Sequence, residues 1–269
     1  FFAIIALALT SFMIAETFSI GFSYFETHQM QQIRLMGTTA DVGITNVTED
    51  QLAEIAKSSF VLDVGIQQRL GSVDTEQLQS ARLGIVWIND IEWESHRLPA
   101  ISGVVGNYPS SQNEVMLPTW VLGEMGISDP QIGMEIVLPY QTGNSYDYIA
   151  DTFFLSGYYT DYISTRTNNR GYVYVSAAFK DSLNVSLDNS VTAMIRFQGN
   201  DDVDKNCERL QRKIAFTEKQ TFEIVPLGQA NGGPIVLAVI ILAVFISFSG
   251  YLLIYNILYI SVVKDVQFY

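Results

Sequence analysis

A run of thirty uncharged, mostly apolar residues, Pro234–Val263, is the feature that most limits how this chain can fold. A helix needs about 20 residues, at about 1.5 Å each, to cross a hydrocarbon core of about 30 Å. Tyr251, Tyr255 and Tyr259 recur at every fourth position near its end, as aromatic side chains do at a membrane interface. A domain of this size could not bury so long an apolar run in its core. The sequence therefore predicts a transmembrane helix over residues 232–263.

The N-terminal segment predicts a second transmembrane helix, over residues 1–25. Its only charged side chain is that of Glu16. No basic residue precedes the small-residue run Ala6–Ala8, so the segment lacks the basic start of a signal peptide. Glu16 lies either near the outer interface or inside the membrane as a functional carboxylate, and both readings stay open. Because the chain begins at Phe1 rather than at a methionine, we expect it to be a fragment of a longer protein.

Charge is concentrated between the two apolar ends. Of the 15 Lys/Arg and 28 Asp/Glu in the chain, residues 26–231 contain 14 and 26, a net charge of −12. Nucleic-acid binding requires a basic surface, so that function is excluded. Such acidity either favours cationic ligands or serves only as a solvated surface that keeps the domain soluble, and both readings stay open. Lys264 is the one basic residue that flanks either helix on its outer end; it places residues 264–269 in the cytoplasm and residues 26–231 outside it.

The region between the apolar ends contains one strand–helix–strand pattern near its start and another near its end. The first consists of a strand at Asp41–Val47, a helix that begins with a capping box at Thr48 and Gln51, and a strand at Val61–Leu70. The second consists of a strand at Val191–Phe197, a helix opened by Asp201, Asp202 and Asp204 and continued by Leu210, Ile214 and Phe216, and a strand at Thr221–Leu227. Two such units predict an α+β sandwich of the split-βαβ kind, with a sheet on one side and helices on the other.

The residues between these two units predict a mostly-β insertion. Short β-prone runs alternate with Gly, Pro, Asn and Ser turns, and one short helix is predicted at Pro118–Met125. The runs are Leu83–Ile91, Glu114–Leu117, Glu135–Leu138 and Phe153–Tyr159. The predicted segments are transmembrane helix 1 (1–25), a helical stalk (26–40), the βαβ core subdomain (41–84 and 171–231), the β-rich inserted subdomain (85–170), transmembrane helix 2 (232–263) and a cytoplasmic start (264–269).

No constellation of catalytic, cofactor-binding or metal-ligating residues emerges, so the sequence predicts a protein that is not an enzyme. It contains neither a G-x-S-x-G elbow nor a phosphate-binding loop. His28 is predicted to be solvated on the stalk. His96, among Glu92, Glu94 and Arg97, is predicted to lie at the surface.

Two further patterns are weak. The segment from Asp202 begins like a calcium loop, but Cys207 occupies the glycine position and Lys213 the position of the closing glutamate, so we reject a calcium site. The single cysteine excludes an internal disulfide. The glycosylation sequons Asn46–Thr48 and Asn184–Ser186 are too common by chance to decide anything.

Four stretches, taken in their order along the chain, resemble a known family. The first is a Gly-x-x-Pro turn at Gly106–Pro109 that leads into an Asn-Glu-apolar strand at Asn113–Leu117, and the second is a Gly-Ile … Ile-Gly segment at Met125–Ile127 and Ile132–Leu138. The third is a Gly-containing strand at Phe154–Tyr158. The fourth is the end of the second apolar helix, at Ile254–Asn256 and Ile260–Tyr269. These stretches resemble FtsX-like ABC transporter permeases with a MacB-like periplasmic core domain.

The resemblance implies a multi-pass protein of the bacterial plasma membrane, in contact with membrane lipid, an ABC ATPase subunit and a second permease subunit or half. Its membrane helices and stalk would pass ATP-driven movement to the outer domain, for export or mechanotransmission of a peptide, lipid or lipoprotein. The acidity favours a cationic peptide among these. The alternative function is the extracellular ligand-sensing domain of a two-span signalling receptor.

Overall fold

Two long helices, α1 (Phe2–Met36) and α6 (Gly232–Gln267), form the ends of the chain. The structure is a computed structural model that describes residues 2–73, 82–143, 148–162, 170–183, 190–199, 202–227 and 232–267. The chain divides into a helical unit, Phe1–Gln31 with Gly228–Tyr269, and a mixed α+β unit, Gln32–Leu227. The stretches Ala3–Met36 and Val236–Ile260 are each long and apolar enough to cross a membrane.

The helical unit contains two glycines where α1 and α6 approach closely. A Cβ added to Gly21 would lie 2.4 Å from Val239 Cγ2, and one added to Gly250 would lie 2.4 Å from Thr10 Cγ2. Small residues allow this approach between membrane helices. Because the earlier residue of α1 meets the later residue of α6, the two helices are antiparallel.

Four side chains that the sequence patterns single out in these helices are exposed: one on α1 and three on α6. Glu16 is exposed on α1. Tyr251, Tyr255 and Tyr259 are exposed on α6, where successive rings stack with centroids 6.4 and 6.3 Å apart. The side chain of Lys264 lies outside the described part of the chain.

The sheet and helices of the α+β unit confirm the predicted split-βαβ fold. Its elements are β1 (Val42–Thr45), α2 (Glu49–Ala56), β2 (Val61–Val73), β9 (Val191–Phe197), α5 (Val203–Lys213) and β10 (Phe222–Ile224). The strands lie in the order β10-β1-β9-β2, and each pair is antiparallel. The two helices pack on one face of this sheet over a core that includes Ile44, Ile55, Ile195 and Leu210. The result is the two-layer α+β arrangement that the two βαβ patterns predict.

Local signals placed the helix starts better than the helix ends. The capping box at Thr48 and Gln51 is formed, and Asp202 caps α5. Asp201, like the sequon at Asn184–Ser186, lies outside the described residues. The prediction that Ile214 and Phe216 continue α5 was wrong. The helix ends at Lys213 because Ile214 is extended and buried in the core, while Phe216 packs edge-on against Phe222 of β10, with centroids 5.0 Å apart.

The inserted region builds a closed six-stranded barrel. Its further elements are β3 (Arg82–Ile88), β4 (Ser102–Gly106), β5 (Glu114–Pro118), α3 (Thr119–Glu124), β6 (Glu135–Thr142), β7 (Ile149–Thr160), β8 (Arg170–Val175) and α4 (Ala177–Ser182). The strands pair in the ring β2-β3-β8-β5-β7-β6, which closes through β6 onto β2; β4 pairs with β7 outside the ring. Apolar residues that include Leu83, Ile85, Val115, Leu117, Ile136, Leu155 and Val173 form its core.

Strand β2 is shared by the two subdomains. Its first part, Val61–Gln68, pairs with β9, and its last residues, Gly71–Val73, pair with β6. The boundaries predicted at 84/85 and 170/171 fall within β3 and β8, which pair in parallel with each other inside the barrel. Sequence analysis did not predict β4, β8 or α4.

Candidate functional site: a buried charge cluster

A helical turn after β3 positions Glu92, His96 and Arg97. It consists of a π-helix, Glu92–Arg97, and a 3₁₀-helix, Leu98–Ala100. The side-chain oxygen of Asn89 accepts hydrogen bonds from the backbone N–H of Glu92 at 3.0 Å and of Ile66 at 2.8 Å, which fixes the start of the turn to β2. A π-helix has a wider turn than an α-helix, so the residues four and five positions after Glu92 both lie beside its side chain.

His96 lies at the centre of the cluster and is fully buried. Its Nδ1 lies 2.6 Å from Glu92 Oε2, and its Nε2 lies 2.7 Å from Asp63 Oδ1. The prediction of a surface position was wrong, because both ring nitrogens find carboxylate partners inside the fold. Burial lowers the pKa of His96, but the hydrogen bonds and charges of Glu92 and Asp63 outweigh it, and the net shift is upward.

Arg97 connects the cluster to the end of helix α1. Its Nε donates to Glu92 Oε1 at 2.7 Å, its Nη1 donates to the backbone oxygen of Gly37 at 2.9 Å, and its Nη2 donates to Gln67 Oε1. Gly37 directly follows α1; it has a φ of +71° and donates to Ile33 O at 2.8 Å, as a glycine that ends a helix does. Burial opposes the charge of Arg97, yet the nearby Glu92 carboxylate holds its pKa above the usual value. Arg97 therefore binds the end of α1 as a cation.

Strands β2 and β9 supply the other members. Arg196 of β9 donates to the second carboxylate oxygen of Asp63 of β2. Gly65 of β2 lies directly under the turn: a Cβ there would be 2.3 Å from Glu92 Oε2 and 2.7 Å from His96 Nδ1. We call Asp63, Glu92, His96, Arg97 and Arg196 the charge cluster. It forms on the face of the sheet that α2 and α5 leave uncovered.

The segment after α1 is bound to the same helical turn through its backbone. The N–H of Thr39 donates to the carbonyl of His96 at 3.1 Å, and the hydroxyl of Thr39 donates to the carbonyl of Ser95 at 2.8 Å. Together with the bond from Arg97 to Gly37, these contacts hold residues 37–39 on the charge cluster.

Asp41 joins the segment that follows α1 to the segment that precedes α6. Its N–H donates to Ile195 O at 2.8 Å, its carboxylate accepts from Phe197 N–H at 2.7 Å, and its carbonyl accepts from Val225 N–H at 2.8 Å. Burial raises the pKa of the Asp41 carboxyl, against the hydrogen bond from Phe197. Since β1 and β10 are antiparallel, with Val42 opposite Ile224, the domain begins and ends at neighbouring positions.

The arrangement is suited to holding parts of the protein together. Both nitrogens of His96 and both oxygens of Glu92 are occupied by ion pairs inside the protein. In the described ranges, no group of three His, Cys, Asp or Glu side chains could hold a metal ion. Breaking a buried pair of this kind by removing one partner costs about 3–5 kcal/mol. The charge cluster therefore binds the end of α1, β2 and β9 to one another.

The sequence patterns indicate only part of this site. They group His96 with Glu92 and Arg97, but also with Glu94, which is exposed and outside the cluster. Asp63 and Arg196 could not be recognised as partners, because Asp63 lies 33 residues from His96 and Arg196 lies 133 residues from Asp63 along the chain. The charged residues Glu92 and Arg97, which follow the apolar strand β3 after three intervening residues, are a local signal of this site.

The other residues considered earlier lie apart from the cluster. His28 is half-buried on α1, with its ring centroid 6.2 Å from that of Tyr24. Asn46 donates from its side-chain amide to the carbonyl of Lys219 at 2.8 Å. Cys207 is buried in the core, which raises the pKa of its thiol to about 11.

Comparisons with known proteins gave matches among solved structures. No family model and no curated protein matches the sequence. The periplasmic region of MacB from Actinobacillus actinomycetemcomitans is similar over 72% of this chain and 93% of that structure, with 11% sequence identity and a TM-score of 0.45. The extracellular domain of the noncanonic ABC-type transporter YknZ from Gram-positive bacteria is similar over 66% of this chain and 89% of that structure, with 10% identity and a TM-score of 0.41.

Proposed function

We propose that this chain is part of an ABC transporter permease, in which ATP hydrolysis by a partner ATPase moves an extracytoplasmic α+β domain. The observation that carries the proposal is the order of the parts along the chain. Two helices that are long and apolar enough to cross a membrane stand before and after one α+β unit, Gln32–Leu227. The FtsX-like permeases that the sequence motifs resemble have the same order of helix, extracytoplasmic domain and helix.

The charge cluster supports a mechanical role for this layout. Helix α1 is one uninterrupted helix from Phe2 to Met36. At about 1.5 Å per residue it is longer than the about 30 Å hydrocarbon core requires, so it extends out of the membrane. Its end is bound through the Gly37 carbonyl to Arg97. A displacement of that end is therefore passed through the charge cluster to β2 and β9 rather than absorbed by a flexible linker.

The neighbouring ends of the domain support the same role. The segments that lead to the two helices are bonded to each other at Asp41 and Val225. Strand β2 then continues from the split-βαβ sheet into the barrel, with paired residues along both parts. A change in the spacing of the helices thus acts on one end of the domain and reaches the barrel through β2. The sequence resemblance implies a peptide, lipid or lipoprotein as the molecule on which the permease acts.

Affinity purification of the full-length protein tests the permease assignment. The tagged protein is extracted from its native membrane in mild detergent, and the co-purifying proteins are identified by mass spectrometry. We expect an ABC ATPase subunit in stoichiometric amount. Recovery of a kinase or another signalling protein in its place, without an ATPase, would support the two-span receptor and refute the permease.

A helix-breaking substitution tests the mechanical role. Gln31 and Gln32 lie inside α1, at the boundary between the two units. Replacing them by Gly-Pro interrupts the helix, while Ala-Ala removes the same side chains and keeps it. We expect Gly-Pro to abolish substrate-stimulated function at normal protein levels and Ala-Ala to leave it intact. Equal function in both variants would contradict the lever.

A further inference from the structure

The barrel contains a long stretch of chain with negative charge only. Residues 98–165 contain seven Asp or Glu and no Lys, Arg or His. This stretch supplies β4, β5, α3, β6 and β7. Its surface therefore attracts cations over about 10 Å at 0.1 M salt and repels anionic surfaces.

An exposed aromatic side chain lies between two carboxylates on the outer face of three neighbouring strands. Phe154 of β7 is opposite Glu135 of β6 on one side and opposite Glu114 of β5 on the other. The neighbours of Phe154 along β7, Phe153 and Leu155, point into the barrel core. Phe154 points outward and keeps 41% of its surface exposed. A large apolar side chain flanked in register by two carboxylates is an unusual outer face for a strand, where polar residues are the norm.

Two further apolar side chains enlarge this surface. Val137 lies two residues beyond Glu135 on the same face of β6 and is 58% exposed. Ile132 precedes β6 and is 49% exposed; its Cδ1 lies 2.8 Å from the position a Cβ would take on Gly106 of β4. We call Glu114, Ile132, Glu135, Val137 and Phe154 the outer face. Exposed apolar residues grouped beside charged ones are characteristic of binding surfaces.

One of the two carboxylates is fixed in place and ionised. Glu114 Oε2 accepts hydrogen bonds from Ser110 N–H at 2.8 Å, Ser111 N–H at 2.9 Å and the Ser110 hydroxyl at 3.1 Å. The backbone bonds from Ser111 and Ser110 hold the pKa of Glu114 below its usual value. All three bonds reach one oxygen of the carboxylate. The charge beside Phe154 is therefore present near neutral pH.

We propose that the outer face binds a short cationic peptide. An aromatic or aliphatic side chain of the peptide packs on Phe154, with Val137 and Ile132 beside it, and Lys or Arg side chains on either side of it pair with Glu114 and Glu135. A second copy of this chain is disfavoured as the occupant, because it would bring two negative surfaces together. The role of this peptide in transport rests on the proposed permease function. Binding of the peptide itself requires neither an ATPase nor an ion gradient across the membrane.

Peptide binding to the full-length chain tests the proposal. The chain is reconstituted in nanodiscs of zwitterionic phospholipid, and binding of a fluorescein-labelled octapeptide of alternating Lys and Phe is followed by anisotropy, with empty nanodiscs as background. We expect saturable binding that weakens as salt is raised. The matched octapeptide of alternating Glu and Phe should not bind. Equal binding of both peptides would overturn the proposal, since it would show that charge plays no part.

Paired substitutions locate the site. Phe154→Ser should weaken binding about tenfold, from loss of the apolar contact, and Glu135→Lys about threefold or more. The controls are Leu62→Ser, at an apolar residue of β2 that is 53% exposed, and Glu54→Lys, at an exposed glutamate of α2. Neither control should change binding. Glu135→Lys keeps the test decisive if Phe154→Ser fails to fold.

Three results would refute the site. Equal losses in Glu135→Lys and Glu54→Lys would mean that net charge alone attracts the peptide. Unchanged binding in Phe154→Ser would mean that the peptide contacts another part of the chain. A dimer of the chain that Phe154→Ser dissociates would mean that a second copy occupies the outer face. Because the measurement uses no ATPase, absence of binding leaves the permease assignment standing, and absence of an ATPase partner leaves a measured peptide site standing.

Discussion

Replacing Glu92 by Gln is the sharpest test of the charge cluster as a joint. The substitution keeps the size of the side chain but removes the charge that pairs with His96 at 2.6 Å and with Arg97 at 2.7 Å. A glutamine has one acceptor oxygen, so its amide group must face one of these two donors. Arg97 remains charged and buried without its carboxylate.

The expected loss follows from the burial of the pair. Glu92 is fully buried and Arg97 is 4% exposed, so solvent compensates for little of the lost charge. Removing one partner of a buried ion pair costs about 3–5 kcal/mol. For the unit Gln32–Leu227, an unfolding entropy of about 2.1 cal/mol/K per residue sums to about 0.4 kcal/mol/K. The melting temperature should therefore fall by about 7–12 °C.

Tryptophan fluorescence of the full-length chain in detergent measures this change selectively. The three tryptophans, Trp87, Trp93 and Trp120, all lie in the α+β unit, so their signal reports the unfolding of that unit. Glu208→Gln is the matched control, since it breaks the exposed pair between Glu208 and Arg212. A surface pair of this kind contributes at most about 0.5 kcal/mol, or about 1 °C. A Glu92→Gln shift no larger than that of the control would refute the stabilising role of the cluster.

Three further substitutions test other parts of the reasoning in the same assay. Because the pKa of His96 is raised in the folded state, the stabilisation by His96 is complete below about pH 6.5 and is lost as the pH rises through the folded-state pKa. The melting temperature of His96→Gln should therefore lie further below that of the wild type at pH 6 than at pH 9. An equal difference at both pH values would contradict this. Gly65→Ala places a Cβ 2.3 Å from Glu92 Oε2 and should cost about 1–3 kcal/mol, whereas an unchanged melting temperature would mean that the turn shifts freely. Thr48→Ala removes the bond to Gln51 N–H and should cost about 1 kcal/mol, and no change would show that the capping box adds nothing.

Local sequence patterns predicted those parts of the fold that depend on neighbouring residues. The capping box at Thr48 is an example, because its two partners lie three residues apart. The end of α5 is the opposite case. Leu210, Ile214 and Phe216 have helical spacing, but Ile214 lies in the core in an extended conformation and Phe216 packs against β10. These tertiary contacts leave no pattern in the local sequence.

The charge cluster shows the same limit at the functional site. His96 lies among the charged residues Glu92, Glu94 and Arg97 in the sequence, which favours a surface position. Its burial is possible because the fold supplies Asp63 from β2, and because Gly65 leaves room for the turn. Likewise, the outer face exists because β5, β7 and β6 come together in one register around Phe154. Each strand alone gives no indication of it.

The sequence by itself determined the two apolar helices and the acidic α+β unit between them, because the length of an apolar run and the sum of charges do not depend on how the chain folds. It also determined the split-βαβ class, since that class follows from the order of strands and helices. Only the tertiary structure decided that the barrel closes through β2, that His96 is buried between Asp63 and Glu92, and that the end of α1 is bound by Arg97. These features join residues that are far apart in the chain, and such pairings are fixed by packing and strand register rather than by local pattern.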